Sequence, residues 1–173
     1  MAWSWRLLRN YMATMAVTTT LSESGYQKMS VEVKLKRMSD GAIQPHKAHQ
    51  YDAAFDLYAD TNGEVVIYPH ETQLIPTGFA MEIPEGYYGG IYARSGLASK
   101  NGLRPANCVG IIDCGYKDEV IVALHNDSND MQRIKHGDRI AQFMIAPVVA
   151  TYFTEVDELS GDDRGGGFGS SGV

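Results

Sequence analysis

The chain has 173 residues, 44% of them hydrophobic, and a formal net charge of −6. This size suits one domain with its own core, and an acidic balance with scattered basic residues argues against a nucleic-acid polymer as partner. No uncharged apolar run approaches the roughly 20 residues of a membrane span, and two cysteines without a CxxC spacing favour a reducing, cytoplasmic location.

The N-terminal residues differ in composition from the rest of the chain. Residues 1–22 contain Arg6 and Arg9 but no acid. This pattern allows a short amphipathic helix, a weak organelle-targeting segment or an early start of the reading frame. We expect residues 1–28 to form a poorly ordered extension.

Short alternating segments then predict strands. Residues 31–35 alternate apolar and polar side chains, and residues 51–60 do so again. The second segment places Phe55 and Leu57 on one face and Asp56 on the other. Asn62-Gly63 is a hairpin signal, so residues 64–68 are predicted to return against that strand.

The middle of the chain holds one helical signal. Residues 79–83 alternate as a strand, and residues 95–100 favour one or two helical turns with Ser95 as N-cap. Asn101-Gly102 ends this helix. Residues 120–126 and Arg139–Pro147 are predicted to pair as a further hairpin.

Residues 109–124 form the most distinctive segment. Two β-branched runs surround Gly115 and predict a β-hairpin, with Asp113 directly after the first run. Asp113 either starts the turn through a backbone hydrogen bond or occupies the kind of strand-end position where chemistry is often located.

Strands at about ten-residue spacing, many turns and one brief helix favour an all-β sandwich or jelly-roll barrel. The expected organisation is an extension over residues 1–28, a β-barrel domain over 29–158 and a glycine-rich tail over 159–173.

Arg94-Ser95-Gly96 at a predicted helix start could hold a phosphate, since backbone N–H groups are unpaired there and glycine permits close approach. An ordinary capped turn with a surface arginine is the alternative.

The C-terminal tail combines six glycines in residues 161–172 with Arg164 and Phe168. This composition fits either a flexible terminus or a lid that covers a planar ring and closes on phosphates.

Two polar strand residues add to the candidates. Asp56 either faces solvent or holds water around a Mg²⁺ ion, which takes few protein carboxylates. Gln142 either faces solvent or donates its amide to a phosphate or to an attacking water.

Together these segments resemble the trimeric dUTP pyrophosphatase (dUTPase) family, whose five motifs all have counterparts here in order. The resemblance covers residues 31–173. The five counterparts are residues 54–59, residues 93–98 with Gly102-Leu103, residues 110–116, residues 137–142 and residues 164–172.

The resemblance implies a distorted jelly-roll-like β-barrel assembled as a homotrimer, with active sites shared between subunits. It also implies hydrolysis of dUTP to dUMP and pyrophosphate with Mg²⁺, which keeps uracil out of DNA and supplies dUMP for thymidylate synthesis.

The resemblance also implies residue roles. Asp113 would be the general base, Tyr116 would exclude a 2′-hydroxyl, and Asp56 would act through metal-bound water. The phosphates would be held by Arg94, Ser95, Gly96 and Gln142. The uracil edge would be read by backbone of the segment that contains Asn107, Gly110, Ile111 and Ile112. The lid over a neighbouring subunit's site would comprise Arg164, Phe168, Gly169, Ser170 and Ser171.

Lys117-Asp118 departs from the Arg-Gly that is frequent in the family, and could alter the turn after Tyr116. Two rival functions stay open. One is deamination of dCTP on the same fold, and the other is a non-catalytic trimer that binds nucleotides or a protein partner.

Overall fold

The computed structural model describes residues 17–21, 27–107 and 109–162. Within these residues the chain forms mostly short strands and one short helix, α1 (Ser95–Asn101). The strands are β1 (Val17–Leu21), β2 (Gln27–Val31), β3 (Lys34–Arg37), β4 (Phe55–Tyr58), β5 (Val65–Ile67), β6 (Thr72–Glu82), β7 (Tyr87–Tyr92), β8 (Leu103–Pro105), β9 (Gly110–Ile112), β10 (Glu119–Asn126), β11 (Gln132–Ile134) and β12 (Arg139–Pro147).

Two antiparallel four-stranded sheets make up the body of the fold. Their strand orders are β3-β6-β10-β8 and β4-β12-β7-β9, and two further pairs are β1–β2 and β5–β11. The predicted all-β, jelly-roll-like class with one short helix is therefore confirmed.

The core consists of the apolar side chains that the two sheets direct toward each other. Ile75, Val122 and Leu124 come from the first sheet, and Leu57 and Ile140 from the second, all at most 1% exposed. A fully buried aliphatic side chain contributes about 1.5–3 kcal/mol relative to an exposed one, so this layer holds the sheets together.

The three predicted hairpins are wrong, because in each of them the two strands pair with other partners. β4 pairs with β12 and β5 with β11, although Asn62-Gly63 lies between β4 and β5. β9 pairs with β7 and β10 with β6 and β8, so the Asp113 segment crosses from one sheet to the other. β10 and β12 also lie in different sheets.

The first strand of the domain is shorter than predicted. The alternation over residues 31–35 is interrupted at residues 32–33, and β3 begins at Lys34. β1, in the predicted extension, pairs antiparallel with β2, which runs across residue 28 as far as Val31. The boundary at residue 28 stays a prediction.

Helix α1 confirms the helical signal but not its cap. Arg94 is the N-cap residue with extended backbone and no side-chain capping bond, so Ser95 is the first residue of the helix. Gly102 ends the helix at φ 67°, a left-handed conformation that favours glycine. None of the helices in the described part of the chain has the length and apolarity of a membrane span.

Candidate active site

Asp56 is clamped between two arginines. Arg94 Nε donates to Asp56 Oδ1 at 3.2 Å, and Arg139 Nη1 donates to Asp56 Oδ2 at 3.2 Å. Arg94 Nη1 also donates to the Arg139 carbonyl at 3.0 Å. Charge-assisted bonds of this kind are the stronger class of hydrogen bond, so the three side chains form one unit.

This clamp excludes the interpretation of Asp56 as a solvated strand residue. Asp56 is only 8% exposed, and both of its carboxylate oxygens accept a bond. Two guanidinium groups against one carboxylate leave a net positive charge, and the Arg139 side chain is 49% exposed. The unit can therefore attract an anion from solvent.

Gln142 lies between Asp56 and Tyr92 in one row of residues that crosses three neighbouring strands. It is directly opposite Asp56 on β4 and Tyr92 on β7. A hydrogen bond with Tyr88 raises the pKa of Tyr92, so that phenol stays neutral. Directly opposed residues share a face of a sheet, so a ligand on this face could meet all three side chains.

The start of α1 adjoins the clamp through Arg94. Ser95 and Gly96 are exposed there. A Cβ placed on Gly96 would have no atom within 4 Å, so packing within the chain does not require glycine at this position. The space over Gly96 is open to a ligand.

The segment that contains Asp113 connects β9 to β10 and is mostly exposed. The Tyr116 N–H donates to the Asp113 carbonyl at 3.1 Å, and Tyr116 Oη donates to the Glu119 carbonyl at 3.0 Å. Gly115, at φ 98°, provides the left-handed turn. In this arrangement Asp113 is exposed, and its carboxylate is open to solvent.

The chain is tightly packed around Gly110, whereas the neighbouring side chains of Val109 and Ile111 are exposed. Gly110 is buried, and a Cβ there would lie 3.0 Å from Asn107 Nδ2 and 3.2 Å from Ile91 Cβ. Val109 has φ 88°, a conformation that costs a β-branched residue of order 1–3 kcal/mol. Ile111 and Ile112 pair with Gly90 and Gly89 of β7.

Asp113 and Arg94 lie at opposite ends of β7. Ile112 is opposite Gly89, so the continued register puts Asp113 beside Tyr88 near the beginning of that strand, whereas Arg94 lies two residues beyond its last residue, Tyr92. A span of six residues at about 3.3 Å each separates the two side chains by about 20 Å along the strand. Within one chain, the candidate base and the candidate phosphate ligands therefore do not meet.

Arg139 is a candidate site residue to which the sequence motifs assign no role. It stands three residues before Gln142, at the first position of β12. The signal in the sequence is that Arg139 and Gln142 belong to the same motif. The contact of Arg139 with Asp56 joins residues 83 positions apart, so no local pattern predicts it. The proposed lid residues Arg164, Phe168, Gly169, Ser170 and Ser171 lie outside the described residues.

The donor groups fit a loosely held Mg²⁺ ion better than a caged metal. Among the described residues there is no cluster of three His, Cys, Asp or Glu side chains that could hold a metal. Asp56 is a single carboxylate beside a positive patch. Mg²⁺ commonly takes one or two carboxylates, with water and substrate phosphates as its remaining ligands.

Comparison with known proteins points to one family. The family model described as dUTPase matches residues 40–172. The deoxyuridine 5′-triphosphate nucleotidohydrolase of Tropheryma whipplei (strain Twist) is 46% identical over 146 residues, which cover 83% of this chain and 96% of that protein. The protein of the same name from Wolbachia pipientis wMel is 42% identical over 84% of this chain and 99% of its own length.

Solved structures give the same result. The Staphylococcus bacteriophage 80alpha dUTPase with dUPNHPP superposes with a TM-score of 0.74 at 31% identity, covering 83% of this chain and all of that one. A mutant dUTPase from phage phi11 of S. aureus, described as coordinating a structural Mg(II) ion, gives 0.67 at 26% identity over 75% of this chain and 99% of its own. The chain therefore belongs to the dUTPase family.

Proposed function

We propose that this chain hydrolyses dUTP to dUMP and pyrophosphate, with Asp113 as the general base. Asp113 accepts a proton from water as the water oxygen bonds to the α-phosphorus. The bond from that phosphorus to the bridging oxygen breaks, and pyrophosphate leaves. General-base catalysis of this kind contributes about 10²–10⁴-fold to the rate.

The observation that carries this proposal is the separation of two complementary half-sites in one chain. The clamp of Asp56, Arg94 and Arg139 lies near Gln142, Ser95 and Gly96, where a triphosphate would find positive charge and hydrogen-bond donors. Asp113 lies at the other end of β7 with an open carboxylate.

The separation supports a site shared between copies, in which Asp113 of one chain faces the phosphate ligands of another. The expected assembly is a homotrimer with three such sites. Residues 148–162 also favour association, because they are all exposed and include apolar side chains such as Phe153, which is 99% exposed. A run of large apolar side chains that is open in one copy, here Val149, Tyr152, Phe153 and Leu159, is typical of a surface that a partner covers.

The base and sugar would be selected next to Asp113. The packed backbone around Asn107 and Gly110 would read the uracil edge, together with Ile111 and Ile112. A pocket of apolar contacts rejects an extra methyl by only about 1–3 kcal/mol, so a close backbone wall is the better means of excluding thymine. Tyr116 would pack against the deoxyribose.

Mg²⁺ would neutralise charge on the triphosphate, and Asp56 is the residue proposed to reach it through water. Arg94 and Arg139 hold Asp56 in place, and both guanidinium groups add positive charge beside the phosphates. Arg164 and Phe168 would close the site as part of the tail lid, with Gly169, Ser170 and Ser171.

The test is release of pyrophosphate from dUTP compared with dTTP, dCTP and UTP, each with ammonia measured in parallel. We expect rapid pyrophosphate release from dUTP alone. Ammonia from dCTP without pyrophosphate from dUTP would contradict the proposal and indicate a deaminase. Tight nucleotide binding with no turnover of any of the four would indicate a binding protein instead.

A further inference from the structure

A histidine with no role in the proposed reaction lies beside the clamp. His46 forms an isolated antiparallel bridge with Asp56 of β4. The Asp56 N–H donates to the His46 carbonyl at 2.8 Å, and the His46 N–H donates to the Asp56 carbonyl at 3.4 Å. Because β4 is the edge strand of the sheet β4-β12-β7-β9, the segment that contains His46 extends this sheet by one short pairing.

The bridge determines the face of the sheet on which the His46 side chain lies. Directly opposed residues of an antiparallel pair share a face, with Cβ atoms about 4.5–5.5 Å apart. The next pair of residues agrees with this, because Lys47 Nζ lies 4.7 Å from the centre of the Phe55 ring. Successive side chains alternate between faces, so Lys47 and Phe55 take one face, and His46 and Asp56 take the other.

The face that His46 shares with Asp56 carries the proposed phosphate ligands. Asp56 is directly opposite Gln142 of β12, and its carboxylate is held by Arg94 and Arg139. The row of Asp56 and Gln142 therefore extends by one residue, to His46. An anion bound against Arg139, whose side chain is 49% exposed, would lie close to the imidazole.

The His46 ring is available to a ligand. His46 is exposed, and its ring forms no hydrogen bond or ion pair with any residue that the structure describes. An imidazole has an N–H donor whether it is neutral or protonated. Hydrogen bonds to a charged acceptor such as a phosphate oxygen belong to the stronger class. This histidine can therefore donate to an anion that the clamp attracts.

We propose that His46 is a further substrate-binding residue, which donates a hydrogen bond to a phosphate oxygen of dUTP. The inference rests on the proposed function, since that function makes the triphosphate the occupant of the clamp. The five motif counterparts begin at residue 54, so none of them includes His46. Only the bridge to Asp56 connects this histidine to the site.

Binding of dUPNHPP tests the contact without turnover. We expect His46→Ala to raise its Kd about fivefold, the effect of one lost hydrogen bond, both with and without Mg²⁺. The affinity for deoxyuridine, which has no phosphate, should not change. An unchanged Kd for dUPNHPP, an equal loss for deoxyuridine, or a loss that requires Mg²⁺ would each overturn a direct contact with phosphate.

Two matched variants sharpen this test. His49 is also exposed, but it lies in the turn that follows, where its backbone N–H donates to Asp52 Oδ2 at 2.8 Å. His49→Ala should therefore leave the Kd unchanged, and equal losses in the two alanine variants would contradict a specific role of His46. His46→Gln retains an N–H donor and should recover part of the affinity. Binding no tighter than that of His46→Ala would contradict the donor role.

Steady-state kinetics separate binding from chemistry. A contact that is formed equally in the ground state and the transition state changes KM and leaves kcat as it was. We expect His46→Ala to raise KM for dUTP about fivefold, with kcat within about twofold of the unaltered chain. An unchanged KM would contradict the proposal. A chain whose dUPNHPP affinity depends on His46 but which releases no pyrophosphate from dUTP would contradict the proposed function and leave the His46 contact intact.

Discussion

The two carboxylates at the centre of the proposed site have opposite environments. Asp56 is 8% exposed and both of its oxygens are bonded to arginine, whereas Asp113 is exposed and follows the end of a three-residue strand. The first is held by contacts that span 38 and 83 residues of sequence. The second is positioned by a short turn.

The difference indicates a division of roles. Both oxygens of the Asp56 carboxylate already accept a hydrogen bond from an arginine. It is suited to holding arginines in place. An exposed carboxylate without such partners can accept a proton from water. The two carboxylates thus differ in role, since Asp56 orients arginines beside the proposed phosphate site and Asp113 is left open near the other end of β7.

Replacing the base should have the largest effect. Asp113→Asn is expected to lower kcat for dUTP at least about 100-fold, or about 2.7 kcal/mol of transition-state stabilisation. Unfolding free energy should change little because the side chain is exposed. Pyrophosphate release and urea unfolding measure the two effects. Turnover within tenfold of the unaltered chain would rule out Asp113 as the base.

Replacing the clamped carboxylate should lower the stability of the fold, which Asp113→Asn leaves nearly unchanged. Asp56→Asn leaves Arg94 and Arg139 without their negative partner, and we expect the unfolding free energy to fall by about 1–3 kcal/mol. Urea unfolding measures it. A matched control is Asp118→Asn, an exposed acid in the connection after Asp113, which should not change stability. Equal stability of both variants would show that the clamp does not support the fold.

Relaxing the strained residue before Gly110 should have the smallest effect. Val109→Gly removes the strain of φ 88°, a gain of order 1–3 kcal/mol, against a glycine entropy cost of about 0.5–1 kcal/mol. We expect a net stabilisation of about 1 kcal/mol with a lower ratio of kcat/KM for dUTP over dTTP.

Thermal unfolding and the two substrates measure these changes. Val109→Ala is the control, because alanine at positive φ retains most of the strain. A glycine variant that is less stable than the alanine variant would contradict a strained backbone at this position.

The sequence predicts most of the residues of the site but not which of them contact each other. Asp113 was located at a strand end, and the structure has β9 end at Ile112. For Asp56, the alternation with Leu57 predicts an outer face, on which the carboxylate either meets solvent or holds water around Mg²⁺. Its burial depends on Arg94 and Arg139, which no local pattern connects to it.

What the sequence by itself determined is the set of elements: short strands, one helical turn that ends at Gly102, and five motifs in the order of the dUTPase family. Apolar–polar alternation and turn residues act over a few positions, so a short stretch of sequence is enough to predict these elements. Only the tertiary structure decided which strands pair and which side chains meet. Two sheets must cover each other's apolar faces, so β9 and β10 separate into different sheets despite the turn between them.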